Sequence, residues 1–189
     1  MISVNKSMAG VVFVIMMWGF FSLNKAVGDA TQSKLFDEKI NLLEEKINFL
    51  RDKNEKLNDI IGNLPLASPT DTVVISSSFG WRNNPRGFHS GIDIPVGPWE
   101  NIYATGGGKV ISAGWFNDNI GNCVVIKHEN GYTSSYGHLS KVLVRWGDIV
   151  QRGDIIARPG DTGRSYGYHL HYEIRKNKTP LDPIDFLII

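Results

Sequence analysis

Between Phe36 and Leu64, side chains suited to a helix seam recur at alternating spacings of four and three: Phe36, Ile40, Leu43, Ile47, Leu50, Asn54, Leu57, Ile61 and Leu64. That seam commits the stretch to a helix, because a strand brings side chains back to one face every second residue instead. Isoleucine falls at the a positions and leucine at d, a division that favours two parallel helices, and Asn54 is a polar a residue able to fix their register. Residues 31–64 are therefore predicted to form a coiled-coil helix, with a second copy of the chain as partner. Across such a pair Lys39 would meet Glu44, whereas Lys46 would face Arg51 unfavourably. The same periodicity also describes a single amphipathic helix folded over its own domain, and spacing alone leaves both arrangements open. Gly62 and the run Pro65-Leu66-Ala67-Ser68-Pro69-Thr70 end the helix and predict a short stiff linker over 65–70.

The residues ahead of the helix have a different character. From Ser7 to Asn24 no residue is charged, and Met8 to Leu23 is almost wholly apolar, with Lys6 before it and Lys25 after it. A membrane-spanning helix needs roughly 17 to 25 apolar residues and a cleaved signal about 7 to 15, so the segment sits on the border. Ala26-Val27-Gly28 offers a small-residue cleavage site. Residues 1–30 are thus expected to be a membrane anchor or a removed signal. Either places the rest of the chain outside the cytoplasm.

The remaining length, within 189 residues at 42% hydrophobic content, suits one globular domain. A formal charge of +1 argues against a nucleic-acid partner, since phosphate binding calls for a basic excess. Cys123 is the only cysteine, so no internal disulfide and no cysteine-rich zinc knuckle can form. Any metal must rest on imidazole and carboxylate.

From Asp71 to Ile189 the pattern is that of a β domain. Short β-rich runs over Thr72–Ser77, Lys109–Trp115, Asn122–His128, Tyr132–Tyr136 and His169–Arg175 alternate with glycine-rich turns. Glu129-Asn130-Gly131 predicts a hairpin between two of them, because Asn and Gly tolerate positive φ. Gly147-Asp148-Ile149 and Gly153-Asp154-Ile155 form a near-duplication around a turn, read as structural duplication in the sheet. Carrier domains with such a hairpin present a lysine at the turn, where Gln151 and Arg152 stand here.

Two of these segments have a chemical face. His169 and His171 are two apart, on one side of a strand, while Leu170, Tyr172 and Ile174 occupy the other. His89 and Asp93 are also separated by an even number of positions, so an extended backbone would bring both to one face. The two segments together supply three candidate metal ligands, with one polar group left over. The helical metalloprotease motif is missing, since no second histidine follows His128-Glu129 at its spacing. No serine lies in a Gly-x-Ser-x-Gly elbow.

The segments Ser78-Phe79-Gly80-Trp81-Arg82, His89-Ser90-Gly91-Ile92-Asp93, Tyr136-Gly137-His138-Leu139-Ser140, Gly160-Asp161-Thr162-Gly163-Arg164-Ser165 and His169-Leu170-His171-Tyr172-Glu173 follow one another in the order of a known family. From Asp71 to Phe186 the chain resembles the lysostaphin-type zinc endopeptidases of bacterial cell walls. The resemblance implies an all-β catalytic domain whose antiparallel sheets form an open groove. It implies one zinc ion per chain on His89, Asp93 and His171, with His138 and His169 as the catalytic pair and His128 structural. Two imidazoles and a carboxylate would leave an open metal position that activates water near neutral pH. His169 is then expected as base and proton shuttle and His138 as oxyanion stabiliser, roles that sequence leaves exchangeable. Tyr168 and Tyr166 depart from the proline and threonine frequent in relatives and alter the groove wall. The implied function is hydrolysis of peptide cross-links of peptidoglycan in the bacterial cell envelope, by a protein held to the inner membrane or exported. Both a D-alanyl to diamino-acid link and a glycine bridge are open as substrates. The alternative is a regulatory or wall-binding protein that activates other hydrolases, as do relatives that have lost ligands; the full residue set favours an enzyme.

Overall fold

The computed structural model describes residues 10, 13–17, 30–82 and 87–187. The chain divides into two compact units, 1–54 and 55–189. Most of the apolar segment expected to meet the membrane lies outside the described residues, among which no helix is long and apolar enough to cross a membrane. The heptad stretch is helical: α1 spans Ala30–Asn63, 34 residues, or about 50 Å at the usual rise per residue. Its d-position side chains Leu43, Leu50 and Leu57 stand exposed.

The second unit begins with the last turns of α1 and contains, among the described residues, twelve strands. In chain order these are β1 (Gly80–Trp81), β2 (Phe88–His89), β3 (Ile92–Pro95), β4 (Ile102–Tyr103), β5 (Gly108–Asn117), β6 (Gly121–Lys127), β7 (Tyr132–Gly137), β8 (Lys141–Val142), β9 (Ile149–Val150), β10 (Ile155–Arg158), β11 (His169–Lys176) and β12 (Thr179–Leu181). The main antiparallel sheet runs β12-β11-β7-β6-β5-β9, and β3 shares with β12 the edge of β11 opposite β7. A ribbon β1-β2 and a small sheet β4-β10-β8 complete the unit. Alternation supplies the core: Leu170, Tyr172 and Ile174 of β11 are fully buried, as are Ile92 and Ile94 of β3 and Val124 and Ile126 of β6. The opposite face of β11 is left for polar chemistry.

The end of α1 is built into this unit. The Gly107 amide donates to the Gly62 carbonyl at 2.9 Å, and the Arg152 guanidinium donates to the carbonyls of Ile61 and Leu64, satisfying acceptors that a helix end leaves unpaired. The expected linker, 65–70, runs against β4: Ala67 donates to the Thr105 carbonyl at 3.1 Å and Tyr103 to that of Pro69 at 2.9 Å.

Three expectations are corrected. Thr72–Ser77 is not a strand; it is extended chain joined to β3 by a single bridge, Ser77 to Asp93. The duplicated Gly-Asp-Ile stretches do not lie in one sheet, since β9 joins β5 in the main sheet while β10 joins β4 and β8 in the small one. What is duplicated is a turn: Asp148 accepts from the Arg145 amide and Asp154 from the Gln151 amide, both at 2.8 Å, beside glycines at φ 93 and φ 88. His89 and Asp93 lie on two strands of different sheets, β2 and β3, instead of one continuous strand. The Asn130-Gly131 turn between β6 and β7 does have the positive φ values, 55 and 77, that its sequence predicts.

Candidate metal centre

The site is assembled by strand register. In the β3-β11 pairing Asp93 lies directly across from His171, and in the β1-β2 ribbon His89 lies across from Gly80. The chain passes from β2 to β3 over β11 so closely that a Cβ at Gly91 would sit 2.2 Å from the Tyr172 carbonyl oxygen. Only glycine permits that approach. It brings three atoms together: His89 Nε2 is 3.2 Å from Asp93 Oδ1 and 3.1 Å from His171 Nδ1, and His171 Nδ1 is 2.9 Å from Asp93 Oδ1.

Every other polar atom of these side chains is engaged elsewhere. His89 Nδ1 donates to the Ser78 carbonyl at 2.8 Å, and His171 Nε2 donates to Glu173 Oε1 at 3.1 Å. Asp93 Oδ2 accepts from the Arg82 guanidinium at 3.0 Å. These contacts assign the tautomers and leave two imidazole lone pairs and one carboxylate oxygen converging on a point. Three acceptors this close repel one another unless a cation lies among them. Two nitrogens and one oxygen are a donor set that suits zinc with a position left open for water or substrate, and the partners behind them are those that orient metal-binding histidines.

The titration behaviour reflects the same demand for positive charge. Burial opposes charge on Asp93, yet its short contacts with the His171 and His89 rings outweigh it and hold the carboxyl well below its usual range. Burial also opposes charge on His171, but the Asp93 and Glu173 carboxylates on either side lift it to about 9. Glu173 in turn falls to about 2, because donation from His171, Arg175 and Ser90 overcomes its burial.

A second histidine pair stands beside this cluster. His138 and His169 have ring centroids 4.6 Å apart, and His169 Nε2 lies 3.9 Å from Asp93 Oδ1. Each ring is aimed by a backbone carbonyl: His138 Nδ1 donates to Thr162 and His169 Nδ1 to Gly167, both at 2.8 Å. The Nε2 lone pair of each ring is thereby left as an acceptor. Burial pushes the pKa of His138 below the usual histidine value. His138 also has φ 61, an uncommon conformation for a residue with a side chain, imposed where the chain leaves β7. All five residues line one groove of about 620 Å³.

All five side chains picked from sequence are thus neighbours. His128 is elsewhere: it is buried, with Nδ1 donating to the Gly107 carbonyl (2.7 Å) and Nε2 paired with the Ser134 hydroxyl (2.8 Å), as a structural residue would be. Sequence reasoning gave no role to Arg82 or Glu173. Glu173 was within reach of the same rule that paired the histidines, being two residues beyond His171 on the same face of β11. Arg82 was not, because its contact with Asp93 crosses from one sheet to another.

A β unit carrying a mixed imidazole and carboxylate cluster in an open groove defines a candidate metal site with room for a further ligand. Residues 87–183 match Peptidase family M23, about half of the chain, and the chain belongs to this family. The peptidoglycan DD-endopeptidase ShyB of Vibrio cholerae is 42% identical over 94 residues, which are 50% of this chain and 22% of that protein. The murein hydrolase activator NlpD of Salmonella typhimurium is 35% identical over 132 residues, 65% of this chain and 35% of that protein. A solved zinc containing peptidase from Vibrio cholerae superposes with a TM-score of 0.57 at 38% identity, covering 60% of this chain and 37% of that one. The chain spans well under two thirds of the length of each of these relatives.

Proposed function

We propose that this protein is a zinc-dependent endopeptidase that hydrolyses peptide cross-links of peptidoglycan, with one zinc ion held by His89, Asp93 and His171. The observation that supports it most is the convergence of His89 Nε2, His171 Nδ1 and Asp93 Oδ1 within 3.2 Å of one another, on the wall of a groove that also holds His138 and His169. Bound zinc supplies Lewis acidity towards water and a substrate carbonyl. His138 is favoured as the proton acceptor, because burial keeps it neutral and the Thr162 carbonyl fixes its free lone pair at Nε2. After taking the water proton it can return one to the leaving amine. His169, with Nε2 turned to the same space, donates to the developing carbonyl oxygen when protonated. This reverses the role order expected from sequence, which left the two exchangeable.

The same reading puts the β unit outside the cytoplasm, tethered by residues 1–30, with the exposed seam of α1 pairing two copies. A murein hydrolase activator among the relatives supports a second reading, in which the chain binds wall material and stimulates other hydrolases. The complete His/Asp/His group beside a histidine pair favours hydrolysis.

The test is mass spectrometry of purified peptidoglycan digested by the protein, together with metal analysis of variants. Alanine at His89, Asp93 or His171 should remove zinc and activity together. Alanine at His138 or His169 should leave close to one zinc per chain and lower turnover by about 100-fold or more. Intact cross-links after digestion by a zinc-loaded protein would refute the endopeptidase reading and leave the activator reading.

A further inference from the structure

The groove has an unusual charge inventory. Its charged lining residues are Arg82, Arg164 and Asp93, alongside the histidines. Arg82 and Asp93 are committed to each other at 3.0 Å, and Arg82 also donates to the Ser77 hydroxyl at 2.7 Å. Arg164 is exposed, and its guanidinium has no hydrogen bond or ion pair among the described residues. Among the described residues the groove therefore offers one free, permanently charged fork and no free carboxylate.

Exposed arginines are ordinary surface residues, and two features set this one apart. It lines the groove that holds the histidine pair, and its backbone is fixed to the rest of the site. The Arg164 amide donates to the Asn119 carbonyl at 3.0 Å. Its neighbour Gly163, at φ 73, packs so closely that a Cβ there would lie 2.4 Å from the Gly121 nitrogen. Thr162 Oγ1 accepts from the Asn122 amide at 3.0 Å and donates to the Leu139 carbonyl at 2.9 Å, while the Thr162 carbonyl aims His138. One loop thus holds both a member of the histidine pair and the root of the free guanidinium. A cation fixed at its base and free at its head is suited to binding a substrate group.

We propose that Arg164 binds a free carboxylate of the cross-linked stem peptide, so that the groove selects links made through a diamino acid over glycine bridges. The proposal rests on the peptidase reading for its substrate. A planar guanidinium pairs a carboxylate through two parallel hydrogen bonds, which fix the position as well as the charge of the group it binds. A glycine bridge brings no carboxylate of its own to this position.

The experiment uses the zinc-loaded full chain and non-cleavable product peptides. These carry both carboxylates free, the diamino-acid carboxylate amidated, or the C-terminal carboxylate amidated; a glycine-bridge peptide is the fourth probe. Calorimetry should show the free acid bound about 10- to 100-fold more tightly than the peptide amidated at the diamino acid, and sensitivity confined to the C-terminal carboxylate overturns the selectivity. The glycine peptide should bind as weakly as that amide. In Arg164→Gln the ratio should fall below about 3-fold, with Arg164→Lys between, since lysine keeps the charge without the fork. Unchanged melting curves would show that the variants fold. Equal binding of the acid and both amides by the wild type overturns the proposal, as does a preference that survives Arg164→Gln. If the wild type cleaves none of the corresponding cross-linked peptides yet keeps an Arg164-dependent preference, the peptidase reading falls and the carboxylate site stands.

Discussion

Replacing Glu173 by glutamine tests how the proposed metal site is held, because the change keeps shape while removing the negative charge and the acceptor character of one atom. Glu173 is buried, with Oε1 accepting from His171 Nε2 at 3.1 Å and from the Ser90 hydroxyl, and Oε2 accepting from Arg175 Nε at 2.8 Å. A glutamine can place its oxygen towards only one of these sides. With oxygen towards Arg175, its amide N–H meets the His171 N–H, and the ring escapes by moving its proton to Nδ1, the atom that faces the cluster. With oxygen towards His171, two donors meet at Arg175 and the glutamine carries no charge to support the imidazole. Both arrangements weaken His171 as a metal ligand. Loss of such a supporting partner typically costs about 10- to 100-fold in metal affinity, or about 1.4 to 2.8 kcal/mol. The assay is competition for zinc against a calibrated chelator, with melting curves to confirm folding. Arg175→Gln is the control, since it leaves Oε1 free to accept from His171; its effect should be several-fold smaller. A folded Glu173→Gln protein that holds zinc as tightly as the wild type would refute the reasoning.

Gly91→Ala should destabilise the β unit by about 1 to 3 kcal/mol, the usual scale for forcing atoms into a filled space, because the new Cβ would lie 2.2 Å from the Tyr172 oxygen; denaturant titration measures it, and an unchanged midpoint would mean that β2 and β3 do not pass so close to β11. Burial holds the pKa of His128 below the usual histidine value of 6.5, so the folded chain takes up that proton at lower pH than the unfolded chain does, and stability should fall as pH drops below 6.5. Melting curves between neutral and mildly acidic pH should show a shallower decline in His128→Asn, and parallel declines would exclude His128 as the source. A soluble protein beginning at Thr31 should be a dimer by light scattering and one beginning at Glu55 a monomer, because the exposed d residues Leu43 and Leu50 are then absent; a monomer in both cases would remove the coiled coil.

How much of this was legible in the sequence depends on whether a feature lies along one element or between two. β11 was fully legible: alternation alone put Leu170, Tyr172 and Ile174 in the core and His169 and His171 on the opposite face. α1 was legible for the same reason, its seam being a property of one helix. His89 and Asp93 were correctly brought together by a path the chain does not follow. Even spacing assumed one strand, whereas the chain leaves β2, turns at Gly91 and enters β3 in another sheet. The Gly-Asp-Ile duplication misled for the opposite reason, since two identical turns feed different sheets and repetition in sequence did not mean one shared sheet.

What periodicity could not reach is the layer behind the ligands. Arg82 meets Asp93 from the β1-β2 ribbon, and Ser78, Thr162 and Gly167 act through carbonyl oxygens, whose side chains carry no trace of the role. Yet these groups decide the chemistry. Each Nδ1–H given to a carbonyl by His89, His138 and His169 forces the lone pair to Nε2, and the Nε2–H given by His171 to Glu173 forces it to Nδ1. Four rings of one residue type are thereby turned to present acceptors to a single space. Composition and spacing identify which histidines are close; the groups behind them determine which nitrogen of each ring is turned to the groove.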